Sequence, residues 1–484
     1  MKSISKNIFY NFLLVGFNII YPLVTTSYIS KILGARNVGI INYSQSIINF
    51  LLIFAMVGVP TYGIREIAQH RDDSKEMGKI FSELFFIKIF FSLLTFIIYI
   101  LILLKIKEMK YDKTIFFIMG IILLANSFNI DWFFSGIEEY KVLSLRNIII
   151  KIITFMLIIF LIKNLKDFYL YAIFISLGQS LGNIWSFFYS KKFVKLKFKD
   201  LNFRRHYNRL RLFFLSSLIT SIYTLLGGVF LGIFTTPEKV AFFTRARQLQ
   251  LIGVTITSSI STVLIPRISY CYVNNKSEYF ILLKKSLNFV YILSIPMMIG
   301  FMLLAEEINF FLGGMEFIHA KIPLIILSPL IIIVTLNTWV YLQMVVPAGI
   351  EKLGTITQAV MAIISMLLNI FLIPRFFEIG LSIAILIAET IGTIILLYIV
   401  KRKKIGIKLL TDSLYKYLIS GFIMSVFMKI IKSSLSNNQV LMLGIMGGSA
   451  LYFLLLIILK EEITIEVLKK IFIKLRRNKK SEDN

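Results

Sequence analysis

Apolar residues in this chain gather in blocks of roughly 17–25, separated by short polar and often basic connectors. A block of that length, coiled as a helix, spans the hydrocarbon core of a bilayer. Fourteen blocks can be traced, near 7–30, 40–62, 81–104, 114–136, 147–162, 168–190, 212–234, 240–264, 286–304, 322–346, 355–374, 378–400, 414–431 and 440–459. The fifth is short. The eighth carries Arg245 and Arg247 inside the stretch FFTRARQLQ, residues 242–250. With 57% apolar residues and a mean hydropathy of +0.81, the expected fold is an all-α polytopic membrane protein of about 14 transmembrane helices.

The formal charge of +27 would suit a nucleic-acid ligand, but its placement argues against one. With the N-terminus inside, connectors on the cytoplasmic side hold 35 Lys and Arg, external connectors 12, and the spans 6. Such asymmetry is the positive-inside rule, and it sets both termini in the cytoplasm. The longest basic connector, KKFVKLKFKDLNFRRHYNRLR (191–211), holds nine. The lysine-rich external segment KIKEMKYDK (105–113) fits the rule least. Cationic segments beside an anionic leaflet need no nucleic acid to account for them.

Cys271 is the only cysteine, which excludes an internal disulfide and a thiolate metal cluster. His70, His206 and His319 fall in three separate connectors, so neither a metal nor a cofactor is expected. The first span lacks a small-residue cleavage site and is expected to be retained.

The chain repeats itself weakly. At a shift of 202, residues 17–45 lie on 219–247 without a gap. At a shift of 210, IFISLGQSLGNIWSFFYSKK (173–192) lies on IAILIAETIGTIILLYIVKR (383–402), with Gly182 on Gly392 and Gln179 on Glu389. Two six-helix lobes in the same orientation, related by a pseudo-two-fold along the membrane normal, are a transporter design with the substrate site between the halves. The expected division is an N-lobe over 1–190, a basic linker over 191–211, a C-lobe over 212–400, an extra helix pair over 401–459 and a basic tail over 460–484.

WFFSGIEEYKVLSLRNIIIKI (132–152) resembles the signature after the fourth span of Wzx-type O-antigen and capsule repeat-unit flippases. These belong to the multidrug/oligosaccharidyl-lipid/polysaccharide exporter superfamily, which also holds the lipid II flippase MurJ. YPLVTTSYISKILGARNVGIINYSQS (21–46), GVPTYGIREIA (58–68) and LLNIFLIPRFFEIGLSIAILIAE (367–389) are similar to further segments of that family. The resemblance implies six-helix lobes around a cationic cavity. It also implies transfer of undecaprenyl-diphosphate-linked oligosaccharide from the inner to the outer face of a bacterial plasma membrane. The implied partners are that lipid-linked oligosaccharide, the bilayer, a polysaccharide polymerase and other assembly proteins.

An anionic diphosphate gives intramembrane cations a purpose, because guanidinium offers a planar fork of donors and keeps its charge. Residues two apart on a helix point about 200° apart, so Arg245 and Arg247 cannot both face one cavity. Arg247 stands nineteen residues before Pro266, a spacing similar to that of a cavity arginine in MurJ, and is expected to bind the diphosphate. Lys151 and Arg36 are further diphosphate candidates, and Arg245 a second cavity or interfacial cation. The bland alternative starts the span near Gln248 and lets both arginines snorkel.

Gln45, Asn49 and Gln179 are candidates for sugar hydroxyls, though intramembrane amides also serve as helix glue. Glu389, mid-span, and Asp131 are candidate coupling or charge-partner carboxylates. Lys88, two turns into the third span, reads as a snorkelling cation. Two rivals remain. A drug or cation antiporter of the same superfamily would favour an acidic cavity. A membrane polymerase or ligase would need a sizeable external loop with a catalytic base, and the longest here is only AEEINFFLGGMEFIHAK (305–321).

The charge asymmetry makes a direct prediction. In a Cys271→Ser background, Asn438→Cys should react with an impermeant thiol reagent on intact cells, whereas Lys480→Cys should not. Labelling of Lys480→Cys would overturn the orientation.

Overall fold

The computed structural model describes residues 4–105, 111–405, 409–435, 437–466 and 469. Most of the basic tail and the middle of the 105–113 connector therefore lie outside the described residues, as does Lys480. All regular structure among the described residues is helical. Among the described residues, eight helices are long and apolar enough to cross a membrane, or up to ten if each of two bent pairs counts as one span. The chain is a multi-pass membrane protein.

Contacts group the chain into two compact units, Met1–Ala241 and Phe242–Asn484. Unit 1 holds α1 (Ile4–Met56), α2 (Val59–Gln69), α3 (Ser74–Lys105), α4 (Lys113–Ala125), α5 (Asp131–Gly136), α6 (Tyr140–Leu161), α7 (Phe168–Ser190), α8 (Arg204–Thr224) and α9 (Leu226–Phe234). The boundary falls inside α10 (Pro237–Asn274). Unit 2 continues with α11 (Lys276–Leu303), α12 (Ala305–Gly313), α13 (Lys321–Leu327), α14 (Leu330–Val340), α15 (Glu351–Arg402), α16 (Leu414–Ser434) and α17 (Asn437–Ile458).

Two of these helices each contain two expected spans. In α1 the break is Gly34, at φ 70° and ψ 173°, a conformation open to glycine because it lacks a Cβ. In α15 the break is Phe377, at φ 51° and ψ −125°. A bulky residue there is strained, and the turn is held by close backbone packing. A Cβ on Gly380 would come within 2.3 Å of the Leu372 carbonyl oxygen.

The repeat register finds a packing counterpart in each unit. Gly182 on α7 is where the sixth apolar block meets Arg146 and Ile150 of α6; Gly392 is where the twelfth meets Met361 of the eleventh. Small residues at both positions let helices approach closely where lipid supplies no hydrophobic drive.

The basic connector is more than a tether. Glu83 of α3 is completely buried, yet it accepts from the Asn202 backbone N–H at 2.6 Å, from Arg205 Nε at 2.7 Å and from His206 Nε2 at 2.8 Å. The other nitrogen of His206 meets the Tyr62 hydroxyl at 2.8 Å. Arg205 also reaches Glu76, and Arg209 pairs with Glu66 of α2 at 2.7 Å. Asp73 opens α3 by accepting the backbone N–H groups of Lys75 and Glu76. Those two bonds favour its ionised form and hold its pKa below the usual carboxylate value. With α9 packed so tightly that a Cβ on Gly232 would strike the Tyr43 ring, these contacts draw the connector, α8 and α9 into unit 1.

A buried carboxylate whose cationic partners are retained leaves them uncompensated when neutralised. Glu83→Gln should therefore release the connector, and limited trypsin digestion should cut faster at Lys197, Lys199 and Arg204 than in the wild type. Equal cleavage rates would show that the clamp does not hold the segment.

Candidate functional site

The fourth apolar block is interrupted. Helix α4 ends at Ala125, a 3-10 turn covers Asn126–Phe128, and α5 restarts at Asp131. Such a break frees main-chain carbonyls in a region where water cannot serve them. Lys88 answers it. Its ammonium is completely buried and donates to the Asn126 carbonyl and, at 2.5 Å, to the Asn129 carbonyl. The expected snorkelling cation is thus a cap on a broken span.

The same break aims Asp131 at Arg146 of α6. Both carboxylate oxygens are engaged, Oδ1 at 2.7 Å and Oδ2 at 2.9 Å, in a two-pronged pair. Arg146 also donates to Asn147, to the Gly182 carbonyl at 3.2 Å and to Ser186 on α7. Its side chain is 4% exposed, and that of Asp131 35%. The charge partner of Asp131 in this structure is Arg146. Arg146 lies within the signature segment 132–152, but nothing in its immediate spacing in the sequence distinguishes it from an interfacial cation.

The three candidate amides of unit 1 form one hydrogen-bonded line. Gln179 donates to Gln45 at 3.1 Å, and Gln45 donates to Asn49 at 2.9 Å. Asn129 donates to Asn183 at 2.9 Å. Lys151 is half-buried with its Nζ 5.3 Å from the centre of the Tyr21 ring. Arg36 is exposed, near Tyr111, whose hydroxyl donates to the Thr235 carbonyl at 2.9 Å.

In unit 2 the paired arginines part company as helical geometry requires. Arg245 is buried, its guanidinium 5.1 Å from the centre of the Phe317 ring. Arg247 is half-buried and donates to Gln250 at 2.7 Å. Both lie well inside α10, which begins at Pro237. Glu389 is buried in α15. Gln343 sits in a π-turn over Tyr341–Val345 and accepts from Ser286 at 2.6 Å, so this amide serves as helix glue.

The family described as "Polysaccharide biosynthesis protein" matches residues 4–271. This chain belongs to that polysaccharide biosynthesis family. The resemblance to Wzx-type flippases is thereby borne out. The protein named "Putative O-antigen transporter" of Escherichia coli (strain K12) is 26% identical over 410 residues, which are 83% of this chain and 98% of that one. Its namesake in Shigella dysenteriae is 24% identical over 82% of this chain and all of its own length. Among solved structures, the lipid II flippase MurJ in an inward closed conformation superposes with a TM-score of 0.75 at 17% identity, covering 94% of this chain and 99% of MurJ. An inward-facing multidrug resistance MATE family transporter gives 0.61 at 13% identity, over 79% and 93%. This member of the polysaccharide biosynthesis family has the fold shared by those transporters.

The Asp131–Arg146 pair can be measured directly. Removing one partner of a fully buried pair costs about 3–5 kcal/mol; partial exposure of Asp131 should reduce this to roughly 2 kcal/mol. Arg146→Ala and Asp131→Ala should each lower the thermal midpoint in detergent, and the double variant should fall well short of the sum. Additive losses would mean that the two side chains do not interact.

Proposed function

We propose that the protein moves undecaprenyl-diphosphate-linked oligosaccharide repeat units from the cytoplasmic to the outer leaflet of the bacterial plasma membrane by alternating access, with both termini in the cytoplasm. Membership in the polysaccharide biosynthesis family, on a fold that a lipid II flippase shares along nearly its whole length, carries this reading. The names of the E. coli and Shigella relatives agree with an O-antigen unit as cargo.

Physical chemistry supports it from the side of the ligand. A diphosphate entering hydrocarbon needs charge-assisted donors, and α10 offers Arg247 half-buried with only Gln250 as a bonded neighbour among the contacts described. Lys151 and Arg36 are proposed to assist as further cations. The line Gln179–Gln45–Asn49 presents amide donors and acceptors of the kind that sugar hydroxyls need. Glu389, a buried carboxylate in a transmembrane helix, is proposed as the coupling group. Arg245, packed on Phe317, is assigned to holding α10 in place. The antiporter alternative is less well supported, since the apolar blocks hold six Lys and Arg, including Lys88, Lys151, Arg245 and Arg247, against four carboxylates, Glu83, Asp131, Glu378 and Glu389.

Complementation of a strain lacking a flippase of known glycan specificity tests the reading. Arg247→Ala should abolish surface glycan display at equal protein level, and Arg247→Lys should retain part of it, because lysine keeps the charge without the fork. Arg245→Ala should cost less transport per molecule but lower the amount of protein in the membrane. Full activity of Arg247→Ala would remove the arginine from substrate binding.

A further inference from the structure

A groove of about 780 Å³ runs between α6 and α7 of unit 1. Its walls are Leu145, Ile149, Leu181 and Phe188, and at one end Trp185 stacks on Tyr189 with ring centres 4.8 Å apart. Trp185 is 44% exposed and Phe188 59% exposed. Large aromatic side chains left open at the end of a membrane helix are the usual marker of the headgroup level.

Cations crowd that same end. Lys141 lines the groove beside Glu139. Lys192 places its ammonium 4.7 Å from the centre of the Tyr189 ring, and Lys191 places its own 5.1 Å from that of Phe188. One lysine and one carboxylate thus line the groove, and two more ammonium groups sit on rings that form its end. Arg146 forms part of the floor, but its donors already serve Asp131, Asn147, Gly182 and Ser186. A ligand's charge must therefore be met by the lysines.

We infer that this groove is a binding site for one anionic phospholipid of the cytoplasmic leaflet, its acyl chains between α6 and α7 and its phosphate at Lys141, Lys191 and Lys192. The trough walls are apolar, as acyl chains require, and the net positive mouth complements an anionic headgroup over a zwitterionic one. The leaflet assignment rests on the orientation proposed above, whereas the choice of anionic lipid rests only on the groove. Because the Asp131–Arg146 pair lies beneath it, a lipid seated here also braces the broken fourth span.

Native mass spectrometry of the delipidated protein, supplied with phosphatidylglycerol or phosphatidylcholine, tests this without reading transport. The wild type should retain one phosphatidylglycerol molecule in preference to phosphatidylcholine. A lysine near an anionic surface accounts for roughly fivefold in binding. The Lys141→Gln/Lys191→Gln/Lys192→Gln variant should therefore lose that molecule by at least about tenfold. Trp185→Ala, which keeps every charge, should weaken it as well. A control with equal charge loss elsewhere, Lys401→Gln/Lys403→Gln/Lys404→Gln, should bind as the wild type does.

Equal binding of the two lipids, an unaffected triple variant or an equally affected control would overturn the site. Displacement of the lipid by undecaprenyl diphosphate at equimolar amounts would also overturn it, by assigning the groove to the cargo. Loss of glycan display in the Arg247 variants bears on none of these readouts, so the two proposals fail separately.

Discussion

The polar core of unit 1 depends on one constraint, that main-chain carbonyls freed inside an apolar bundle must find donors. The break after Ala125 frees them at Asn126 and Asn129, and Lys88 supplies the donor from the middle of α3. An apolar side chain there would leave the carbonyls unserved. Breaking the span also sets Asp131 at the start of α5, where Arg146 meets it with both prongs. Arg146 in turn ties α6 to α7 through Gly182 and Ser186. Three charges that would each be costly in isolation share one connected polar core.

A second charged cluster governs the connector. Glu83 gathers a backbone N–H, a guanidinium and an imidazole from residues 202–206, so a basic segment that could have been solvated is docked on α2 and α3. The excess of positive charge on that side therefore has two roles. Part of it answers buried carboxylates of the protein, and part, such as Lys141, Lys191 and Lys192, remains turned outward. Net charge alone does not divide the two.

The paired arginines of α10 show the same division on a smaller scale. Two identical side chains two residues apart end in opposite settings, one against Phe317 and one beside Gln250. The helical turn of about 100° per residue requires that separation. Which of them is buried depends on where the turn Met315–Ala320 sets Phe317, a contact more than sixty residues away in sequence.

Block length, hydropathy and charge placement were enough to establish an all-helical membrane protein, because bilayer thickness fixes how long an apolar run must be. The segments from Trp132 to Ile152 and from Leu367 to Glu389 were enough to point to the family. The breaks at Gly34 and Phe377 fall between expected spans, since reversing a helix needs unusual backbone angles within a short connector. Only the tertiary structure decided that Lys88 caps a broken helix, that Arg146 owns Asp131, and that Glu83 holds His206 and Arg205. Each is a pairing between residues separated by fifteen to more than a hundred positions. A linear sequence specifies the charges, but the partners that make burial of those charges tolerable are chosen by which helices pack together.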